Sequence, residues 1–283
     1  MNGDMNTDRI RPVPRQRIID KMNEYMSRLD YKGAERHLLY WLAEAKLGGD
    51  LEGQLMLRNE LVGHYRKTGQ KEASMESGEA ALSLLKELDM EDTITAGTTF
   101  VNLATACGAF GEHEKAIRLF ERARAVYEGS GHIEAQLLGG LYNNMALTCT
   151  ELGRFEEALA LYEKAVSLMG HVQDGELEQA ITYLNMANTV EAQDGLEAGE
   201  ARINELVEKA EALLTAKGEA FLGAQEAILH DGTDLRALKM EERARLGYYA
   251  FVCGQCAPTF AYYGYFMTAE ELKARSEELV KRL

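Results

Sequence analysis

The chain contains a pattern of small, aromatic and asparagine residues that returns after 42 positions. Self-similarity at a fixed period of this size indicates a repeat architecture, in which each unit packs only against its neighbours. The pattern therefore constrains the chain to a stack of similar units. One copy comprises Asn102-Leu103-Ala104, Gly111, Ala116, Phe120 and Ala123, and the next comprises Asn144-Met145-Ala146, Gly153, Ala158, Tyr162 and Ala165.

The spacing within each copy is helical, since its small and aromatic residues recur three, four and seven positions apart. Hydrophobic residues make up 46% of the chain and only three residues are prolines, which suits an all-helical core. We therefore predict an all-α fold of five antiparallel helix pairs. The predicted pairs are 14–28 with 32–47, 53–68 with 71–88, 93–110 with 113–128, 134–152 with 155–169, and 176–193 with 197–216.

Four glycines lie at the turns inside the second to fifth pairs. Glycine adopts the left-handed backbone that commonly ends a helix, because it has no Cβ to clash. We expect these turns at Gly69, Gly111, Gly153 and Gly195.

The two ends of the chain differ from the repeats. Residues 1–13 are polar and are expected to form a flexible N-terminal tail. Residues 217–283 are less regular and are expected to form a helical cap continuous with the repeats at 14–216. Within this cap we predict a helix at 235–254 and a last helix at 269–282, begun by the capping-box pattern Thr268-x-x-Glu271.

Charge and hydropathy exclude several functions. The net charge of −15 argues against nucleic acids and against an anionic membrane surface. No apolar run reaches the ~20 residues that span a bilayer, and the N-terminus lacks the apolar core of a signal peptide. We therefore expect a cytoplasmic protein that binds neither nucleic acid nor membrane.

Residues with catalytic or metal-binding potential are scattered. Cys253-Gly-Gln-Cys256 has the spacing of a redox pair or half a zinc site, but no βαβ pattern or second ligand pair accompanies it. Cys107 and Cys149 occupy equivalent first-helix positions, and packed helices lie farther apart than a disulfide allows. We expect four buried, reduced thiols, no metal, no cofactor and no catalytic site. A thiol or metal function through Cys253 and Cys256 remains a distant alternative.

The string Asn144-Met145-Ala146-x-x-Cys149-x-x-x-Gly153-x-Phe155-Glu156-Glu157-Ala158-x-x-x-Tyr162-x-x-Ala165 resembles a tetratricopeptide repeat. The usual period of that family is 34 residues, so each helix here is about one turn longer. The longer form is similar to the repeats of kinesin light chains and of bacterial peptide-sensing regulators. The resemblance implies a right-handed α-solenoid over about residues 16–216.

The resemblance also implies that the first helix of each pair lines a concave face. Asparagine is a poor helix former, yet Asn102, Asn144 and Asn185 recur at one register of successive first helices. Their amides suit the backbone of an extended peptide. The alternative is that they bond neighbouring helices and set the stacking. The candidate peptide-binding residues are Asn102, Asn144, Asn185, Asn143, Asn188, Arg58, Tyr65, Thr98 and Thr105.

These features favour a non-enzymatic scaffold that binds a protein or peptide partner. Some members of the family clamp a carboxylate with basic residues, but Thr98, Gly140 and Ile181 occupy one such position here. The alternative function is a peptide-sensing regulator. Since only about 15 residues precede the first predicted pair, the output of such a regulator would belong to a separate effector.

Overall fold

The computed structural model describes residues 10–131, 133–223, 235 and 238–283. Over these residues the chain is helical and contains no β-strand, which confirms the predicted all-α class. Successive helices form antiparallel pairs. The helices are α1 (Arg15–Ser27), α2 (Tyr31–Leu47), α3 (Leu51–Lys67), α4 (Lys71–Glu87), α5 (Ile94–Ala109), α6 (His113–Gly129), α7 (Ala135–Glu151), α8 (Phe155–Met169), α9 (Glu176–Asp194), α10 (Leu196–Gly223), α11 (Met240–Tyr262) and α12 (Phe266–Arg282).

The chain divides into two compact units, Met1–Ile133 and Glu134–Leu283. The first unit contains the pairs α1–α2, α3–α4 and α5–α6, and the second contains α7–α8, α9–α10 and α11–α12. Helix α10 continues seven residues beyond the predicted boundary at 216.

The predicted turn glycines all have positive φ angles. Gly69, Gly111 and Gly153 have φ of 73°, 78° and 71°, and each follows the last residues of a first helix. Gly195 differs because its φ of 80° is combined with a ψ of 163°, a conformation that essentially only glycine adopts. Helix α10 therefore begins immediately after this one residue.

The anchor residues of the repeat form the core of each unit. Ala104, Ala116 and Ala123 are completely buried in the first unit, as are Ala146 and Ala158 in the second. The aromatic anchors Phe120 and Tyr162 are also buried. The prediction that these positions serve packing is confirmed.

A second repeated contact was not predicted from the sequence. A Cβ placed on Gly97 of α5 would lie 2.2 Å from Cε1 of Tyr127 on α6. A Cβ on Gly139 of α7 would lie 2.3 Å from Cε of Met169 on α8. Both residues of the second contact lie 42 positions after those of the first, so the same helix approach occurs in both pairs.

Because Tyr127 is a buried ring and Met169 is a flexible chain, the two glycines should respond differently to alanine. Gly97→Ala should lower the free energy of unfolding by ~1–3 kcal/mol through overpacking, less the ~0.5–1 kcal/mol that alanine adds to a helix. Gly139→Ala should cost less, because the methionine methyl group can move aside. Chemical denaturation of both variants tests this, and equal stabilities would contradict it.

The end of the predicted N-terminal tail is anchored to the first unit. The amide of Arg11 donates to the carbonyl of Gly48 at 2.9 Å, and the amide of Val13 donates to Oδ2 of Asp50 at 2.9 Å. Val13 is itself buried. Hydrogen bonds and burial thus hold Arg11 and Val13 against the first unit, while residues 1–9 of the predicted tail lie outside the described part of the chain.

The C-terminal pair differs from its predicted form at two points. Helix α11 continues through Pro258 to Tyr262, although a proline inside a helix removes one hydrogen bond. Burial of Cys256 and Phe260 on one face continues past the proline and favours the helix. This helix begins at Met240, five residues later than predicted.

The predicted capping box is wrong, because α12 begins at Phe266 rather than after Thr268. The Thr268 hydroxyl donates instead to Glu211 of α10. This bond ties the last helix to its neighbour in the second unit. The outer surface of α12 also exposes Phe266 and Met267, so it is less polar than a terminal cap is expected to be.

An ion-pair bridge joins three elements of the second unit at Asp174, in the turn before α9. The Arg245 guanidinium of α11 donates from Nε to Oδ2 at 2.5 Å and from Nη2 to Oδ1 at 2.8 Å. Nζ of Lys217 on α10 lies 2.7 Å from Oδ1. The hydrogen bonds from Arg245, together with Lys217, lower the pKa of Asp174 to about 2.

Since the Asp174 pKa is depressed by folding, its contribution should be present above pH ~4 and be lost as the pH falls toward 2. Asp174→Asn should destabilise the protein by ~1–2 kcal/mol at pH 7, after allowance for the partly exposed Arg245. Asparagine tolerates the left-handed backbone of this residue, whose φ is 59°.

Urea denaturation at pH 7 and pH 3 measures this difference, which should shrink at the lower pH. Asp92→Asn is the matched control, because Asp92 is exposed in the first unit. An undiminished difference at pH 3 would show that the bridge does not act through the charge of Asp174.

Candidate functional site

In the first unit, the side of α3 and α5 that carries the asparagines borders a pocket of about 310 Å³. Thr98 and Asn102, two of the predicted groove residues, both line this pocket. Asn102 is partly buried, and its amide has no hydrogen-bond partner among the described residues. Its amide is therefore available to a ligand in the pocket.

The threonines of α5 use their hydroxyls within the protein. The Thr98 hydroxyl donates to the Ile94 carbonyl at 3.1 Å and lies 3.0 Å from the Tyr127 hydroxyl. The Thr105 hydroxyl donates to the Val101 carbonyl at 2.8 Å. Because both hydroxyl hydrogens are already donated within α5, these two threonines contribute to the form of the surface and do not offer free donors to a ligand.

Two further candidates lie on α3. Arg58 is partly buried, whereas Tyr65 is only 7% exposed and packs in the hydrophobic cluster of the first unit with Leu38, Leu42 and Leu61. Burial, together with the nearby charge of Glu35, raises the pKa of Tyr65. Tyr65 is therefore a core residue, which corrects its assignment as a groove residue.

Asn59 is a pocket residue that was omitted from the predicted site. Its Nδ2 donates to the Thr99 hydroxyl at 2.9 Å, while its Oδ1 is buried without a partner among the described residues. Counted from the turn glycines Gly69 and Gly153, Asn59 lies at the position of Asn143, whereas counted from Ala73 and Ala158 it lies one position further on, at that of Asn144. The sequence leaves both alignments of the second pair open.

In the second unit, two of the predicted asparagines bond to each other. Nδ2 of Asn185 donates to Oδ1 of Asn143 at 3.3 Å, and the Thr182 hydroxyl, which donates to the Glu178 carbonyl at 2.7 Å, lies 3.3 Å from the same oxygen. The contact joins α7 to α9. It matches the Asn59–Thr99 contact of the first unit, so this amide position connects successive first helices in both units.

The other two asparagines of this unit have different surroundings. Asn144 is partly buried, and its amide has no partner within the described residues. Asn188 is exposed, but its Oδ1 accepts from the Tyr263 hydroxyl at 2.9 Å. Of the predicted column, Asn185 bonds to the adjacent candidate Asn143, while the amides of Asn102 and Asn144 have no hydrogen-bond partner among the described residues.

Tyrosines of the C-terminal pair contact the adjacent first helix. The Tyr262 hydroxyl donates to Oε1 of Glu191 at 2.5 Å, and the Tyr263 hydroxyl lies 2.9 Å from Oε2 of the same residue. The Tyr248 hydroxyl donates to Glu178. Tyrosine hydroxyls thus contact α9 near its start, at Glu178, and near its end, at Asn188 and Glu191.

The cysteines are packed as core residues. Cys107, Cys149, Cys253 and Cys256 are buried free thiols. Burial raises the pKa of Cys253 to about 11 and that of Cys256 to about 12, which keeps both thiols protonated at neutral pH. In the described part of the chain, no three side chains of metal-ligand type converge.

Helix pairs joined by glycine turns, with polar first-helix faces, define a helical-repeat protein. A tetratricopeptide repeat family model matches residues 43–129 and 137–212, more than half of the sequence. The chain therefore belongs to the tetratricopeptide repeat family.

The first two of three similar solved structures show the same fold at low identity. BtubC (BKLC) from P. vanneervenii has a TM-score of 0.61 and 18% identity, covering 72% of this chain and 80% of that one. The apo form of RapI has a TM-score of 0.58 and 15% identity, covering 95% and 98%. A putative kinesin light chain from Podosopora anserina has a TM-score of 0.47 and 18% identity, covering 80% and 94%.

A search of curated proteins finds no match to the sequence. Among the helices described, none combines the length and apolar character needed to cross a membrane.

The contrast between the asparagines predicts separable effects on stability. Asn143→Ala removes the oxygen that Asn185 bonds to and Thr182 contacts, and should lower the free energy of unfolding by ~1–2 kcal/mol. Asn144→Ala breaks no bond among the described residues and should change stability by less than ~0.5 kcal/mol. Urea denaturation of both variants is the measurement. Equal effects would mean that Asn143 does not contribute to stacking.

Proposed function

We propose that this protein is a non-enzymatic scaffold that binds an extended segment of a partner protein through its first helices. The observation that carries the proposal is an available amide in each unit, on Asn102 in the first and on Asn144 in the second. They occupy the same repeat register in the two units, are partly buried, and have no partner among the described residues. An extended backbone offers the donors and acceptors that such amides lack.

Concave repeat surfaces are a general binding device, because they present many side chains to one elongated ligand. The net charge of −15 favours neutral or basic partners and disfavours nucleic acids. The buried, protonated cysteines support a role without thiol chemistry. We further propose that the protein acts in the cytoplasm and requires no cofactor.

The second candidate function is peptide-sensing regulation of a separate effector. The likeness to RapI, which extends over nearly the full length of both chains, supports this candidate. Both functions use the same binding face. They differ in whether the ligand changes the conformation of the scaffold. Hydrogen exchange with and without a bound peptide separates them, because a sensor alters protection away from the binding face.

The binding test begins with a displayed library of random linear heptapeptides selected on the native protein. The selected peptide is then measured by calorimetry against the double variant Asn102→Ala with Asn144→Ala. Loss of the amide in the unit that binds the peptide should weaken binding roughly 2- to 12-fold, while circular dichroism keeps its helical signal.

Asn204→Ala is the matched control, since Asn204 is also partly buried but lies on the second helix α10. It should bind the peptide with native affinity. Selection of no peptide, or an unchanged affinity in the double variant, would contradict the proposed binding face.

A further inference from the structure

The pocket of the first unit has a polar side formed by α3 and α5. Asn59, Glu60 and Asn102 all line it. A volume of about 310 Å³ is at the small end of ligand sites and suits one side chain with its backbone better than a cofactor.

The charges around the pocket are paired except for one carboxylate. Nη2 of Arg15 bonds to Oε2 of Glu52 at 2.9 Å and lies 3.7 Å from Oδ1 of Asp50. Glu60 is partly buried, and no lysine or arginine bonds to it within the described residues. Burial raises its pKa above the ordinary value for a glutamate. A buried carboxylate without a counter-ion favours the approach of a cation.

A second acceptor adjoins this carboxylate in the sequence. Oδ1 of Asn59 is buried and has no donor among the described residues, while its Nδ2 is already committed to Thr99. Leaving a buried acceptor unpaired costs ~1–3 kcal/mol. Because this oxygen is not exposed in the structure, a ligand paired with Glu60 reaches it only when the Asn59 side chain moves toward the pocket.

The remaining wall of the pocket is apolar and includes Leu55, Met56 and Met90. Long basic side chains combine an aliphatic stem with a charged end that carries several donors. The apolar wall of the pocket thus suits the aliphatic part of a basic side chain. The Glu60 and Asn59 acceptors suit its charged group.

We propose that this pocket binds a lysine or arginine side chain of the partner peptide, with Glu60 as its counter-ion and Asn59 as a second acceptor. The inference rests on the proposed peptide-binding function and adds a specificity for one basic residue. The arginine end group, with five donors, is the better match to two separate acceptors.

The test uses the same heptapeptide selection on the native protein and on Glu60→Gln. Peptides selected on the native protein should share one basic position, and those selected on Glu60→Gln should not. Replacing the arginine of the best native-selected peptide by citrulline, its neutral isostere, should weaken binding to the native protein about 10-fold or more. The same replacement should change binding to Glu60→Gln less than about 2-fold.

Glu87→Gln is the matched control, because Glu87 is an exposed carboxylate near the end of α4 and its loss changes the net charge equally. It should keep the arginine preference. If selected peptides bind but show no basic position, or if Glu60→Gln keeps the preference, the pocket assignment is wrong while peptide binding stands. If no peptide is selected at all, the proposed function fails together with this inference.

Discussion

The close approach of paired helices across small residues is the constraint on which this structure depends. Ala104 and Ala116 in the first unit, and Ala146 and Ala158 in the second, are buried without exposed surface. Gly97 and Gly139 allow Tyr127 and Met169 to reach the backbone of the opposite helix. Because one face of each first helix packs tightly against its partner, the opposite face is not needed for the core. That surface can then carry polar residues without loss of stability.

The asparagines illustrate how one residue type serves two purposes on neighbouring positions of a helix. Asn143 connects α7 to α9 through Asn185 and Thr182, and Asn59 makes the equivalent contact to Thr99. Consecutive residues of a helix point about 100° apart, so Asn144 lies beside this contact without sharing it. The amides that bond between first helices thereby hold those helices at a fixed distance, and the available amides lie on the same helices.

Much of the fold followed from sequence spacing, because repeat anchors and turn glycines impose local geometry that a pattern records directly. The helices of the five pairs begin and end within a few residues of their predicted bounds, apart from the longer α10. The site was less predictable. Tyr65 and Asn188 matched the groove register, yet one is buried in the core and the other bonds to Tyr263. Such outcomes depend on residues far away in sequence. The continuation of α11 through Pro258 was also not predicted. There the burial of neighbouring side chains outweighs the hydrogen bond that the proline removes.

For the proposed function, the tyrosine hydroxyls that contact α9 would limit the length of the motif that the second unit recognises. Since Tyr262 and Tyr263 already occupy Glu191 and Asn188, a bound segment has its available amide on α7. Neighbouring helices lie ~8–10 Å apart, and an extended chain advances ~3.3 Å per residue. One step between helices therefore corresponds to about three residues of ligand. For the proposed function, this unit would recognise a short linear motif, and longer specificity would have to come from contacts made elsewhere on the partner.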